Sequence, residues 1–144
     1  MTVGNGTERG RGVAVIVGAA VGVVAAVVPW NYPQALAAFK FAPALAAGCT
    51  VVLKAAVETA LDALVFAEAA QACGLPPGTL NVIPGGAAAG AHLVSHPGVD
   101  KVTFTGSTAT GRVIGEVCGR LLRPVTLELG GKSAAIILED ADLD

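Results

Sequence analysis

Glu128 stands in "PVTLELGGKS", between aliphatic residues and two glycines, in a chain of which only 14% of residues are charged. Val125, Leu127 and Leu129 alternate with Thr126 and Glu128, so an extended backbone sends the carboxylate to the face opposite the three aliphatics. An unpaired carboxylate is costly to bury. It therefore either pairs with a neighbouring lysine at a sheet edge or opens onto a wet crevice, where it can serve as a general base. Gly130 and Gly131 would let the backbone pass close to whatever fills such a crevice. In "VVPWNYP", Asn31 lies between Pro29 and Pro33, which hold the backbone around it. A rigid amide can donate to a developing oxyanion, although a lone Asn more commonly satisfies turn groups.

Three further positions have chemistry within reach. Lys54 closes "TVVLK" and either reaches ribose hydroxyls or is a solvated strand end. "FTGSTATG", with Gly106, Ser107 and Gly111, reads as a strand, a tight turn and a helix whose first N–H groups lack helical partners, suited to an anion such as a pyrophosphate. Ser107 reads equally well as a simple helix cap. Gly85 is the first of the two glycines that end "LNVIPGG", another strand-to-loop boundary. The motif is not GxGxxG, and Thr126 excludes a GxxxxGK[ST] phosphate loop at "LGGKS". Cys49, Cys73 and Cys118 form no CxxC and have no nearby His pair, so neither a metal site nor a disulfide framework is expected. They read as ordinary core thiols, and His92 and His96 likewise as structural residues.

These residues need elements to carry them. From Val21 onward, strand-like and helix-like runs alternate at short intervals, which predicts an α/β fold, a parallel sheet with helices on both faces. The expected strands are "VGVVAAVVPW", "TVVLK", "LNVIPGG", "KVTFTGS", "PVTLELGG" and, sixth, "AAIIL" at 134–138. The expected helices are Pro33 to Ala47 with Gly48 as its stop, Thr59 (as cap) to Cys73 with Gly74 beyond it, Ala87 to Ser95, and Ser107 to about Gly119. In such a sheet ligands bind beyond the carboxyl ends of the strands. Asn31, Lys54, Gly85, Gly106, Ser107 and Glu128 all fall at or just after one.

The 144 residues suffice for one domain or part of one. A hydrophobic content of 53% excludes disorder for most of the length. A net charge of -2 without a basic stripe excludes nucleic acid as a partner. Residues 1–20 are read as a divergent, partly disordered lead-in. The apolar run Val13 to Val28 could form an exported leader's core or a short membrane span, but a span needs about 20 residues. A buried strand, no membrane partner and a reducing cytoplasmic location are the expectation.

Taken jointly and in order, "PWNYP", "GCTVVLK", "GLPPGTLNVIPG", "VDKVTFTGSTATG" and "VTLELGGKS" resemble the aldehyde dehydrogenase superfamily over about Val21 to Asp144. The resemblance implies a Rossmann-like nucleotide-binding domain, incomplete here, and oxidation of an aldehyde to a carboxylic acid with NAD or NADP through a cysteine thioester. It implies that Glu128 is the base that activates water and that Asn31 stabilises the oxyanion. Pro29 and Trp30 would line the cofactor cleft, Lys54 would bond the adenosine ribose, and Ser107 would meet the pyrophosphate within Gly106 to Gly111. It also implies a nucleophilic Cys beyond Asp144, a separate catalytic domain and an oligomerisation arm, as in the family's homo-oligomers. The chain is therefore expected to be inactive alone and to aggregate or need a partner fragment. One departure bears on the cofactor: where the family has a Glu three residues past the strand-end lysine, this chain has Val57, which leaves NADP as open as NAD. A non-catalytic nucleotide-binding or interaction fragment is the alternative.

Overall fold

The computed structural model describes residues 22–142. The reading of residues 1–20, and the part of the Val13 to Val28 run that precedes Gly22, lie outside the described residues. Five strands alternate with four α-helices: β1 Val23–Val27, α1 Pro33–Ala46, β2 Thr50–Ala55, α2 Ala60–Ala72, β3 Leu80–Pro84, α3 Ala87–Ser95, β4 Lys101–Gly106, α4 Thr108–Arg120 and β5 Val125–Leu129. All strand pairs are parallel, in the order β3-β2-β1-β4-β5. The chain builds outward from β1 on one side, then returns to β1 and builds outward on the other. The reversal falls between β1 and β4, where open α/β sheets form a ligand crevice.

β1 is apolar throughout because both of its faces are covered. Ala25 and Val27 join Leu93, Val94, Val102, Phe104, Ile114 and Cys118 in a core beneath α3 and α4. Val24, Ala26 and Val28 join Ala37, Cys49, Val51 and Leu53 in a second core beneath α1 and α2. Phe41 of α1 meets Phe66 of α2 edge to face, with ring centroids 4.9 Å apart, which ties these two helices together. Leu53 is fully buried, and side chains of that size contribute about 1.5–3 kcal/mol each on burial.

The helix stops fall where expected: Gly48 and Gly74 take φ of 78° and 74°, the left-handed backbone that ends a helix at little cost to glycine. Three expectations need correction. Cys73, expected as a core thiol, is exposed at the end of α2. Thr59 does precede α2, but its side chain makes no capping hydrogen bond, since Val57–Thr59 forms a 3₁₀ turn that leads into the helix. The sixth strand at 134–138 is absent: among the described residues, β5 is the sheet edge and 130–138 has no regular structure. Ile136 and Leu138 are exposed. An apolar run becomes a buried strand only where something covers it, and here nothing packs on this one.

Gly106 ends β4 with its Cα against the ring of Phe104, and an added Cβ would overlap that ring. A buried phenyl cannot give way as a flexible chain end can. Gly106→Ala is therefore expected to destabilise the fold by about 1–3 kcal/mol. Adding Phe104→Leu should recover part of that loss; denaturant midpoints of the two single variants and the double variant would show whether the costs are less than additive.

Candidate active site

Among the described residues, three polar side chains are buried: Lys40, Lys54 and Thr103. A buried ammonium loses hydration that one hydrogen bond does not fully replace, so each lysine marks a place where the fold accepts a cost. They lie on opposite faces of the sheet. Sheet register sets Ile83, Lys54, Val27, Phe104 and Leu127 in one row across the five strands. Val27 and Phe104 face α3 and α4, and Lys54 faces the same way.

On that face a cavity of about 570 Å³ lies between α3 and α4, lined by Lys54, Gly86, Gly90, Phe104, Thr110 and Val113 among others. Its size falls within the roughly 300–1,000 Å³ of small-molecule sites. Lys54 Nζ donates to the Gly85 carbonyl at 2.8 Å, at the end of β3. Burial lowers the Lys54 pKa, and the charge of Glu58 partly offsets this. The first turn of α4 forms another wall through Ala109 and Thr110. Ser107 caps this helix: its Oγ accepts from Thr110 N at 3.2 Å and donates to Thr110 Oγ1 at 2.9 Å.

The next row carries Glu128 beside Thr105, and side-chain alternation sends both to the α1 face. The Thr105 hydroxyl is buried and has no hydrogen-bond partner. Glu128 itself is exposed, because β5 is an edge strand and not the wholly covered strand that its aliphatic neighbours suggest. Below it, a groove of about 310 Å³ runs between α1 and the β4–β5 pair, lined by Phe39, Lys40, Pro43, Thr103 and Thr126 among others. Lys40 Nζ donates to Thr103 Oγ1 at 3.2 Å. Burial lowers the Lys40 pKa, and the charge of Glu128 opposes that shift. Of the two alternatives for Glu128, it opens to water; among the described residues no lysine forms an ion pair with it, and Lys40 acts on it only through space.

Asn31 leaves the end of β1 and is exposed, as is Trp30, with Pro29 half-buried before it. Tyr32 then takes φ 51° and ψ 46°, left-handed backbone that is unfavourable for a bulky residue, and Pro33 opens α1. Strain of this kind costs about 1–3 kcal/mol and persists only where the surroundings enforce it. Here it fixes the path of the backbone leaving Asn31.

The model of the "Aldehyde dehydrogenase family" matches residues 4–144. The chain belongs to the aldehyde dehydrogenase family. It is similar to the geranial dehydrogenase of Castellaniella defragrans, 69% identical over 124 residues, which are 86% of this chain and 26% of that protein. It is 61% identical to the phenylacetaldehyde dehydrogenase of Pseudomonas fluorescens over 85% of this chain and 24% of that one. Its fold matches the crystal structure of Mycobacterium tuberculosis aldehyde dehydrogenase complexed with NAD+, with a TM-score of 0.79 and 58% identity over 85% of this chain and 25% of that one. The chain thus spans about a quarter of the length of these relatives.

The α/β sheet is the Rossmann-like nucleotide-binding architecture of aldehyde dehydrogenases, and NAD(P) is the cofactor of the family. The residues present suit such a dinucleotide. An apolar cavity with one cation lies on one face, a capped helix N-terminus lies at the strand ends, and an orphaned threonine hydroxyl lies on the other face. Of the positions expected from sequence, Lys54 lines the cavity, while Gly85 and Ser107 reach it through their hydrogen-bond partners Lys54 and Thr110. Gly111 is outside the lining. It is buried against Leu129, and an added Cβ would overlap that side chain, so close packing of α4 on β5 accounts for it. Asn31 and Glu128 both leave carboxyl ends, of β1 and β5, with β4 between them.

Sequence reasoning missed Lys40 and Thr105. Lys40 was passed over as one position in an apolar helix, and its signal was the only charge in "PQALAAFKFAPALA". For the aldehyde dehydrogenase chain this lysine has a definite pH signature. With the folded pKa below the unfolded one, the unfolded chain holds the proton to higher pH, so stability rises with pH between the two values. Lys40→Met should flatten that rise. Because it strands the Thr103 hydroxyl, a cost of about 1–3 kcal/mol, the double variant Lys40→Met/Thr103→Val should be at least as stable as the parent at neutral pH; thermal midpoints between neutral pH and the lysine range check both.

Proposed function

We propose that this chain forms the cofactor site and the hydrolytic half of the catalytic site of an enzyme that oxidises an aldehyde to a carboxylic acid. The observation that carries the proposal is Glu128. It is a water-exposed carboxylate at the carboxyl end of β5, in register with the unpartnered Thr105 hydroxyl and within electrostatic reach of Lys40. A nicotinamide dinucleotide, when bound, accepts the hydride from the substrate carbon. Lys54 would hold the adenosine ribose in the cavity between α3 and α4, and Gly106, the first turn of α4, Pro29 and Trp30 would line the dinucleotide's way across the strand ends.

In the hydrolytic step a water oxygen adds to the acyl carbon of a cysteine thioester, Glu128 takes the water proton, and the thiolate leaves as the acid forms. The Asn31 amide donates to the oxygen that becomes negative during addition. Lys40 holds positive charge within electrostatic reach of Glu128. The thiolate belongs to a segment outside the described residues. Burial raises the pKa of both Cys49 and Cys118, the opposite of what a nucleophile needs, and supports this reading. The 144-residue chain is then inactive by itself, a point that an assay for dehydrogenase and esterase activity checks directly.

In the complete enzyme, Glu128→Gln should lower kcat by about 10²–10⁴-fold and leave binding of the dinucleotide within twofold. Asn31→Ala should lower kcat by about 10²–10³-fold. Steady-state kinetics together with calorimetric titration of NAD separate these effects, and normal turnover in Glu128→Gln would exclude Glu128 as the base.

A further inference from the structure

We propose that Arg123 sets the spacing of α3 and α4, and through it the affinity of the cavity between them for the adenosine end of the dinucleotide. This rests on the assignment of that cavity to the adenosine end. Its two walls are one stripe from each helix, Ala87, Gly90 and Val94 on α3 and Thr110, Val113 and Val117 on α4. Helices that pack directly approach to about 8–10 Å through interdigitated side chains. Here a cavity of about 570 Å³ separates the stripes, so packing along them does not fix the spacing. α3 has nine residues, and of these Leu93 and Val94, near its end, are buried. Its first turn is exposed at Ala87 and Ala88. The helix is therefore anchored at its carboxyl end, and that anchor decides where the first turn sits.

Among the described residues, two hydrogen bonds join the α3 segment to the α4 segment, and Arg123 makes both. Its guanidinium donates from Nη1 to the Val94 carbonyl and from Nη2 to the His96 carbonyl at 2.9 Å. These carbonyls close α3, where helical partners run out and the dipole favours a cation. On the other side, the backbone fixes Arg123 to α4. Arg123 N donates to the Cys118 carbonyl at 2.9 Å and Leu122 N to the Gly119 carbonyl at 3.2 Å, with Leu122 at φ 50° in the left-handed conformation that such a helix end uses. Leucine takes this backbone only under constraint. The turn brings Arg123 back to α3, and its guanidinium spans two carbonyls at once, which a single ammonium does not.

Calorimetric titration of the full chain with adenosine 5′-monophosphate, beside its thermal midpoint, tests this. Arg123→Met keeps the stem without the donors and should weaken the nucleotide by about tenfold or more, with Arg123→Lys between Met and Arg. Asp100→Ala removes the acceptor for Val23 N at the start of β4, outside the cavity lining. It should lower the midpoint and leave the affinity within twofold of the parent. If Arg123→Met lowers the midpoint but binds the nucleotide as the parent does, or if Asp100→Ala loses as much affinity, Arg123 serves stability alone. The proposal is then overturned and the assignment of the cavity stands. Should Arg123→Met fail to fold, Arg123→Lys decides: affinity equal to the parent's overturns the proposal, and weaker affinity beside an unchanged Asp100→Ala supports it. If the parent binds no nucleotide, the assignment of the cavity falls, and the proposal with it.

Discussion

Burial of β1 on both faces is the constraint on which the rest of the molecule depends. A central parallel strand with helices above and below has its side chains committed to two cores, Val24 and Ala26 to one, Ala25 and Val27 to the other. Ligand chemistry is left to the strand ends. Because the chain reverses direction of growth between β1 and β4, the segments leaving these two strands diverge to opposite faces, α1 to one and α4 to the other. The crevice between them is set by the order of pairing, and the residues at the strand ends decide what it holds.

This geometry divides the site by face. Alternation along a strand places Lys54 with the α3 and α4 side and Glu128 with the α1 side, although both lie near the carboxyl edge of one sheet. A ligand that meets both must pass over that edge. The two ends of the crevice also differ in character. The cavity beneath α3 and α4 is apolar with a single ammonium, whereas the row containing Thr105 and Glu128 carries oxygen atoms without protein partners or open to water.

Much of this was legible in the sequence, for identifiable reasons. Continuous apolar runs ending in Gly or Pro gave the strands, and positive-φ glycines at 48 and 74 gave the helix ends, because these signals are local. The failures came where a signal depends on what lies across a face. "AAIIL" has the composition of a covered strand but, among the described residues, nothing covers it. Glu128 was read in a buried strand because its aliphatic neighbours conceal that β5 is an edge. Lys40 escaped notice because helical periodicity cannot say that one position of α1 meets Thr103, sixty-three residues away. Family resemblance supplied roles that spacing alone left open, such as cap or anion contact for Ser107, which here is visibly the cap.

The two buried lysines carry the most physical information. Each has a pKa lowered by burial, so each weakens the fold while it remains charged, and a sequence selected only for stability would replace both with apolar residues. They also differ in what surrounds them. Lys40 has a hydroxyl partner and a carboxylate nearby, so its charge is partly matched within the chain. Lys54 has a neutral carbonyl and an exposed Glu58 at longer range. The mismatch is larger on the cavity side. A cation held at a cost, with no carboxylate in the same cavity lining, would be stabilised by an anion that arrives from outside.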